Sequence, residues 1–272
     1  MGTKSYPSSV KSRITGAVSV APTATELAFF RRDETVAWWD ASAARGQHLN
    51  DKGFWTDRKN GIDMVPYGAL IPSYVPTGGP DSQPIVKGLS TGLPPDALIT
   101  PSGNIALATG NLCVWAVAKA GIGTASPLFS IAGNNGGGVS VRLRNGDLAM
   151  ALTESDGLVY QIRISQTLAS STYHLVQFNY KHSPGLMNLY SNGAKLTGGT
   201  PSGGDYSYIH GFPSNRMSWF GEYDQTDGIS ANPPRELSVA MCGVAHTYAP
   251  ENSAWQAALV AMVSERFPSL GL

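Results

Sequence analysis

Short runs of apolar and β-branched residues recur through the middle of the chain, and pairs of turn residues separate them. The runs VSVRL, DLAMALT and LVYQIRI are joined by Asn145-Gly146 and Asp156-Gly157. Asn-Gly and Asp-Gly tolerate the positive φ that two-residue hairpin turns require, so this pattern predicts three consecutive antiparallel strands. LMNLY and AKLTG repeat the arrangement around Asn192-Gly193.

Further runs of the same kind predict at least five more strands, and they are CVWAVAKA, PLFSIAG, YHLVQFNY, RMSWFGEY and ELSVAMCGVAH. No helical period lies between them. Regularly spaced strands without intervening helices are typical of sandwiches and jelly rolls. The sequence therefore predicts an all-β fold, a two-sheet antiparallel jelly-roll sandwich.

A single helical pattern stands at the end of the chain, in APENSAWQAALVAMVSERF. Trp255, Leu259 and Met262 recur there at helical spacing, and Ser253 with Gln256 matches a capping box. We expect one C-terminal amphipathic helix that covers a sheet edge or an open end of the sandwich.

Two segments differ from the regular strands. Residues 66–107 are rich in Pro and Gly yet keep frequent apolar residues, which predicts a long ordered loop wrapped over the sandwich. Residues 1–33 form a predicted N-terminal arm. Its apolar patches at 17–20 and 27–30 are too small for a core, but they suffice to dock on a sheet edge or on another subunit. The predicted domains are this arm, with an assembly contact, and a sandwich over residues 34–272.

The charge balance excludes several classes of partner. Nineteen Lys and Arg offset nineteen Asp and Glu, and no basic run is present. Nucleic acid is therefore not an expected partner. No stretch approaches the roughly 18 consecutive apolar residues of a membrane-spanning helix, and MGTKSYPSSVKSRITG lacks the apolar core of a signal peptide. We expect no membrane insertion, and a place on a virion or extracellular surface that is reached without a signal peptide in this chain.

Two cysteines, Cys113 and Cys242, each lie in an apolar, strand-like run. Cysteine in such runs usually behaves as a small buried hydrophobe, which favours two free thiols; a single bridge between them is the alternative. A cysteine-based zinc site needs more ligands at short intervals, so this pattern excludes it.

Four short segments share an order that is known from one fold family: VAWWDAS at 36–42, FWTDRKNG at 54–61, YHLV at 173–176 and LYSNG at 189–193. They resemble motifs of the concanavalin A-like lectin and glucanase superfamily, and within it the laminin-G-like modules of phage and bacterial surface proteins. Lys59 stands where these modules usually have Ser-Gly. The resemblance spans about residues 34–268, and it implies the jelly-roll sandwich and a structural role for the motif residues.

Carboxylates in GEYDQTDG offer candidate catalytic chemistry. The resemblance is to glucanases that carry E-x-D-x-x-E or E-x-D-x-E on one strand, since retaining hydrolysis needs two carboxylates roughly 5 Å apart. Here Glu222, Asp224 and Asp227 follow a similar order, with Asp227 in place of the second Glu. Asp224, Asp227 and Asn232 are also a candidate calcium site, because hard oxygen ligands suit this ion. No other cofactor is expected.

Aromatic residues cluster in GGDYSYIHGFP, residues 203–213. Aromatic faces stack on sugar rings while a carboxylate binds hydroxyls, so this cluster is a candidate sugar site. Alternating tyrosines are equally typical of a strand that packs on a core, and both interpretations stay open. The candidate ligand-binding residues are Tyr206, Tyr208, His210, Tyr223 and Asp205.

The leading functional hypothesis is a non-enzymatic surface module, such as a phage capsid-decoration, fibre or tail protein. Its expected partners are glycan or cell-surface polysaccharide, together with other virion proteins or further copies of the chain, which the arm would contact. The alternative is a polysaccharide-degrading hydrolase or lyase on the same fold.

Overall fold

The computed structural model describes residues 23–41, 55–67, 72–88, 97–100, 111–120, 126–132, 138–144, 147–153, 159–165, 172–181, 185–197, 216–221, 223–224, 228–229 and 237–272. The helices within these residues are α1 Ala24–Phe30 and α2 Ser253–Arg266, with 3₁₀ turns at Pro80–Ser82, Ala249–Glu251 and Pro268–Leu270. The strands are β1 Thr35–Asp40, β2 Trp55–Thr56, β3 Asp63–Tyr67, β4 Ser73–Val75, β5 Ile85–Gly88, β6 Ala97–Ile99, β7 Leu112–Ala120, β8 Ser126–Ala132, β9 Gly138–Arg144, β10 Asp147–Thr153, β11 Val159–Ser165, β12 His174–Lys181, β13 Leu186–Ser191, β14 Ala194–Lys195, β15 Arg216–Trp219, β16 Tyr223–Asp224, β17 Gly228–Ile229 and β18 Leu237–Ala245.

The strands form two large sheets. One, the helix-bearing sheet, has the order β14-β13-β12-β7-β18-β5-β4, and β1 pairs with β18 beside β5. The second sheet has the order β11-β10-β9-β8-β15-β6-β3-β2, while β16 and β17 form a separate two-stranded ribbon. Both sheets are antiparallel throughout the described pairings. The predicted two-sheet antiparallel sandwich with a C-terminal helix is confirmed.

The main core fills the space between the two sheets. Alternate residues of each strand point into it, among them Val114 and Ala116 from β7. Aromatic rings pack against one another at its centre, tilted or edge-on: the Trp219 ring centroid lies 4.7 Å from that of Phe129 and 6.1 Å from that of Trp39. This core holds the two sheets face to face.

A second core lies on the outer face of the helix-bearing sheet, beneath α1 and α2. Trp115 and Val117 of β7 point into it, as do Trp255 and Leu259 of α2. The helix therefore packs on a sheet face, and the expectation that it covers a sheet edge or an open end is wrong. The reason is visible in β7 and β18, which are apolar on both faces and need cover on both sides.

The start of α2 also differs by one residue from the expected capping box. Asn252 is the N-cap, and its side-chain oxygen accepts a hydrogen bond from the Trp255 backbone N–H at 3.1 Å. Asn and Ser are about equally favoured N-caps, so Asn252 can take the role that the pattern assigned to Ser253.

Part of the predicted N-terminal arm contacts the sandwich. Thr23 and Glu26 form a capping box at the start of α1. Phe29 is fully buried in the second core, where its ring centroid lies 5.9 Å from that of Trp115 and 5.6 Å from that of Trp255. Residues 1–22 lie outside the described residues, so the assembly contact of the arm and the boundary at residue 33 stay predictions.

The predicted pairing of the hairpin strands is confirmed, while the predicted long loop is not. The predicted turns at Asn145-Gly146 and Asp156-Gly157 lie outside the described residues. β9, β10 and β11 pair in sequence, and Asn192 and Gly193 both take positive φ between β13 and β14. Residues 66–107, by contrast, contain β4, β5 and β6, which belong to the two sheets. Strands of three or four residues are too short to show an alternating pattern, and for this reason the sequence did not reveal them.

The two cysteines are buried, free thiols. They lie on the adjacent strands β7 and β18 but on opposite faces of the sheet, because Cys113 belongs to the second core and Cys242 to the main core. Burial raises the pKa of both thiols well above the ordinary range. The favoured alternative of two free thiols is thus the observed one.

Candidate functional site

The segment WTDRKNG, residues 55–61, lies along the free edge of β1. Trp38 donates its backbone N–H to Asp57 Oδ1 at 2.6 Å, and the Arg58 N–H donates to the Trp38 carbonyl at 2.8 Å. Asn60 Nδ2 donates to the Val36 carbonyl at 2.7 Å. An edge strand without such partners is a template for pairing with another chain. This segment therefore closes the edge of β1 on the side away from β18.

Side chains extend the same contact to α2. Trp55 Nε1 donates to the Asp40 carbonyl at 3.1 Å, and the Asp40 carboxylate pairs with Arg58 at 2.8 Å and with Arg266 of α2 at 3.7 Å. The Arg58 guanidinium lies 5.2 Å from the Trp38 ring centroid. Lys59, which departs from the family pattern, donates to the carbonyls of Arg32 and Thr35. The implied structural role of these motif residues agrees with their contacts.

Most of the sequence-predicted site residues lie outside the described part of the chain. These are Asp205, Tyr206, Tyr208, His210, Glu222, Asp227 and Asn232. The backbones of Tyr223 and Asp224 form β16, which pairs with β17 and contacts β8 and β15 of the second sheet. The catalytic, calcium and sugar-binding roles of these residues therefore stay predictions.

The described residues contain neither a group of metal ligands nor a membrane-spanning helix. Those residues contain no group of three or more His, Cys, Asp or Glu side chains that could hold a metal ion. Within the same ranges, neither helix is long and apolar enough to span a membrane.

The outer face of the helix-bearing sheet changes from apolar to polar at β12. Val176 and Phe178 point into the main core, so alternation places Gln177 and Asn179 on the outer face. On β13, which follows in the sheet, the same alternation places Asn188 and Tyr190 on this face. These polar residues adjoin the apolar surface that α2 covers.

Tyr248, which precedes α2, completes this polar surface. Asn188 Nδ2 donates to the Tyr248 hydroxyl, and the Lys181 ammonium lies 5.8 Å from the Tyr248 ring centroid. Lys181 also pairs with both carboxylate oxygens of Glu251 at 2.6 Å. Burial, followed by the neighbouring Tyr190 and Glu251, raises the pKa of Tyr248. The amide patch consists of Gln177, Asn179, Asn188, Tyr190 and Tyr248.

Two amides of this patch are buried without hydrogen bonds. Gln177 is 1% exposed and Asn179 is 0% exposed, and no atom in the described ranges bonds to either side-chain amide. An unsatisfied buried polar group costs about 1–3 kcal/mol, so native proteins rarely keep one without a reason. Sequence reasoning missed this surface, although Gln and Asn at alternate positions of the apolar run LVQFNY are a readable signal.

His174, at the start of β12, is half-buried, and both of its ring nitrogens are shielded from solvent. No partner in the described part of the chain bonds to either ring nitrogen, and burial lowers the pKa of this imidazole below its ordinary value. The folded state therefore binds fewer protons than the unfolded state just below pH 6.5. This residue contributes stability that is fully present above that pH and is lost as the pH falls through its folded pKa.

We expect the urea midpoint to fall between about pH 7 and pH 5, and the His174→Gln variant to show a shallower fall. His246, whose pKa burial also lowers, acts in the same direction and leaves the variant a residual slope. Equal slopes for the variant and the wild type would contradict the assigned role of His174.

Comparisons with known proteins show what the fold is similar to, but they assign no role to any residue. No protein-family model matches the sequence, and no curated protein matches it. Among solved structures, the chain is similar to the receptor-binding domain of botulinum neurotoxin D, with a TM-score of 0.54 at 12% identity over 83% of this chain and 53% of that chain. The botulinum neurotoxin type G receptor-binding domain gives 0.53 at 9% identity over 86% and 51%.

A third similar structure is a complex with a ligand. It is the botulinum neurotoxin serotype D ligand-binding domain in complex with N-acetylneuraminic acid, with a TM-score of 0.52 at 12% identity over 83% of this chain and 51% of that chain. This chain spans about half the length of these three chains. At such low identity the similarity shows a shared β-sandwich fold.

Proposed function

We propose that this chain is a laminin-G-like module of the concanavalin A-like superfamily that binds glycan or another host-surface receptor without chemical turnover. The observation that carries the proposal is the similarity of its sandwich to receptor-binding domains, one of them in complex with N-acetylneuraminic acid. Fold alone leaves function open, because the same sandwich carries many activities. The four family-like motifs and the electrically neutral composition support a surface module.

The proposed contact residues are those of the aromatic cluster, Tyr206, Tyr208, His210, Tyr223 and Asp205. Tyr223 belongs to β16, which lies against the second sheet through β8 and β15. This sheet is the one opposite α1 and α2. A ligand at the ribbon would therefore approach from the side of the sandwich away from the helices.

The biological setting that we propose is a virion or an extracellular surface. The N-terminal arm, outside the residues of α1 that pack on the sandwich, would then contact other virion proteins or further copies of the chain, and calcium would bind at Asp224, Asp227 and Asn232. Calcium titration followed by thermal melting tests the last point, since a bound ion raises the melting temperature with its concentration.

The test of ligand binding is a glycan array probed with the purified chain, followed by calorimetry on each hit. We expect Tyr208→Ala to weaken binding at least about tenfold, since an aromatic platform is lost. Tyr74→Ala is the matched control, because Tyr74 lies on β4 at the edge of the helix-bearing sheet. Absence of binding to any glycan or host-cell surface would contradict the proposal, as would release of reducing sugar or unsaturated product from a polysaccharide panel.

A further inference from the structure

The amide patch combines the chemical groups that recognise sugars. Each side-chain amide of Gln177 and Asn179 offers N–H donors together with a carbonyl acceptor, and no described atom uses them. Sugar hydroxyls both donate and accept, so they match such groups. Tyr190 adds an aromatic ring on the same face, and aromatic rings pack against the apolar faces of sugar rings.

The patch lies beside α2. Val260 of α2 lies 4.0 Å from the position that a Cβ on Gly193 would take, and so the helix borders the β13–β14 turn. Gln256 lies one helical turn before Val260, and its buried Oε1 likewise has no bond to any described atom. The amides of β12 lie opposite Tyr190 and Asn188 of β13, the strand whose far end α2 borders.

Solvent reaches the edge of the patch and not its centre. Asn188 and Tyr190 are half-buried, and Leu186 on the same face of β13 is 40% exposed. Lys195 on β14, opposite Tyr190, is exposed at the rim. Gln177 and Asn179 are 1% and 0% exposed, so a ligand reaches them only when a covering group moves.

The side chains of the patch favour an uncharged ligand, because all five are amides or phenols. At its border the ammonium of Lys181 is held by both oxygens of Glu251, so this pair has no net charge. Lys195 adds one positive charge at the rim, and N-acetylneuraminic acid among the probes tests whether that charge selects an anion. We infer that the amide patch is a binding site for a neutral saccharide, separate from residues 203–224, and this inference rests on the proposed function.

Tyr248 is the group that would move on binding. It is buried, and its hydroxyl accepts from Asn188, an amide that a sugar hydroxyl would also engage. A ligand that displaces this contact gains access to Asn179, which pairs with Asn188 across β12 and β13. The saccharide then satisfies amide groups that are unpaired in the free protein, and satisfying them is the source of its affinity.

The experiment is calorimetry and saturation-transfer NMR on the full chain with lactose, cellotriose, chitotriose and N-acetylneuraminic acid. We expect a neutral probe to bind, and Tyr190→Ala and Gln177→Met each to weaken it at least about tenfold. Gln177→Met should also raise the melting temperature, because it replaces an unpaired amide by an apolar group of similar size. Leu186→Ala, on the same face of β13, is the matched control and should leave the affinity unchanged.

The outcomes separate this inference from the proposed function. Binding of a neutral probe that Tyr190→Ala and Gln177→Met leave intact, while Tyr208→Ala abolishes it, would overturn the inference and leave the proposed function standing. A higher melting temperature of Gln177→Met with unchanged affinity would mean that the amide is only a packing defect. Binding of N-acetylneuraminic acid alone would overturn the neutral ligand class, and no binding of the wild type to any glycan or host cell would overturn both proposals.

Discussion

Replacing Phe29 by alanine is expected to lower the free energy of unfolding by about 3–5 kcal/mol. Phe29 is 0% exposed, and its ring meets those of Trp38, Trp115 and Trp255 at centroid distances of 6.4, 5.9 and 5.6 Å. Truncation leaves a cavity between α1, α2 and the sheet that three indole rings cannot close. Urea unfolding followed by tryptophan fluorescence measures the loss.

Leu27→Ala is the matched control for this prediction. Leu27 lies in the same helix but is 38% exposed, and the substitution introduces the same residue with the same helix propensity. We expect a change within about 0.5 kcal/mol there. Equal, small effects of both substitutions would show that α1 is dispensable, as the sequence-based boundary at residue 33 implies. A large effect of Phe29→Ala alone would assign α1 to the sandwich.

The strands were predictable because their chemistry is local. The hairpins of β9 to β11 and of β13 to β14 depend on alternation and on Asn-Gly or Asp-Gly turns, and these signals lie within a few residues of each other. The helix α2 shows a helical period over many residues, so its existence was equally clear. The position of α2 on the sheet could not be predicted, because the strands on which it packs are distant in sequence.

The location of the second core could have been anticipated from β7 and β18. LCVWAVA and LSVAMCGVA are apolar at consecutive positions, which is typical of strands that are covered on both faces. β4 to β6 gave no such signal, because each is too short to display a period. The formation of β4, β5 and β6 depends on pairing and packing with residues that are distant in sequence.

The candidate sites likewise differ in whether local sequence or long-range packing brings their residues together. Tyr206 and Tyr208 were predicted as sugar-binding residues from a local cluster of aromatic residues. The amide patch instead joins β12, β13 and the segment before α2, where Asn188 and Tyr248 meet across sixty residues of chain. Only the register of β12 against β13 and the packing of α2 bring these groups together.

The segment at residues 55–61 explains why short family-like motifs indicate the fold and not the activity. Its polar residues are the ones that resemble the laminin-G-like motif, and they form hydrogen bonds with the backbone at the edge of β1. A free strand edge invites pairing with other chains, so closing it is a requirement of the sandwich itself. These contacts therefore serve the fold and carry no information on activity.

The other large effect is expected at Asp57. Its carboxylate accepts from the backbone N–H groups of Trp38 at 2.6 Å, Lys59 at 3.1 Å and Asn60 at 2.6 Å. Burial outweighs these bonds and raises the pKa of the carboxyl group, so the charge is held at a cost that its partners only partly offset. Asp57→Ala leaves three N–H groups without an acceptor, and we expect a loss of about 3 kcal/mol or more in the free energy of unfolding.

Asp63→Ala provides the comparison within the same turn. Asp63 is half-buried and accepts from the Thr56 hydroxyl at 2.6 Å, so its removal should cost about 1 kcal/mol. Urea unfolding gives both values, and light scattering at equal protein concentration reports whether the freed edge of β1 causes association. A loss at Asp57 no larger than that at Asp63, with no added scattering, would show that the segment decorates the strand without closing its edge. A large loss accompanied by association would identify Asp57 as the residue that keeps β1 from pairing with another chain.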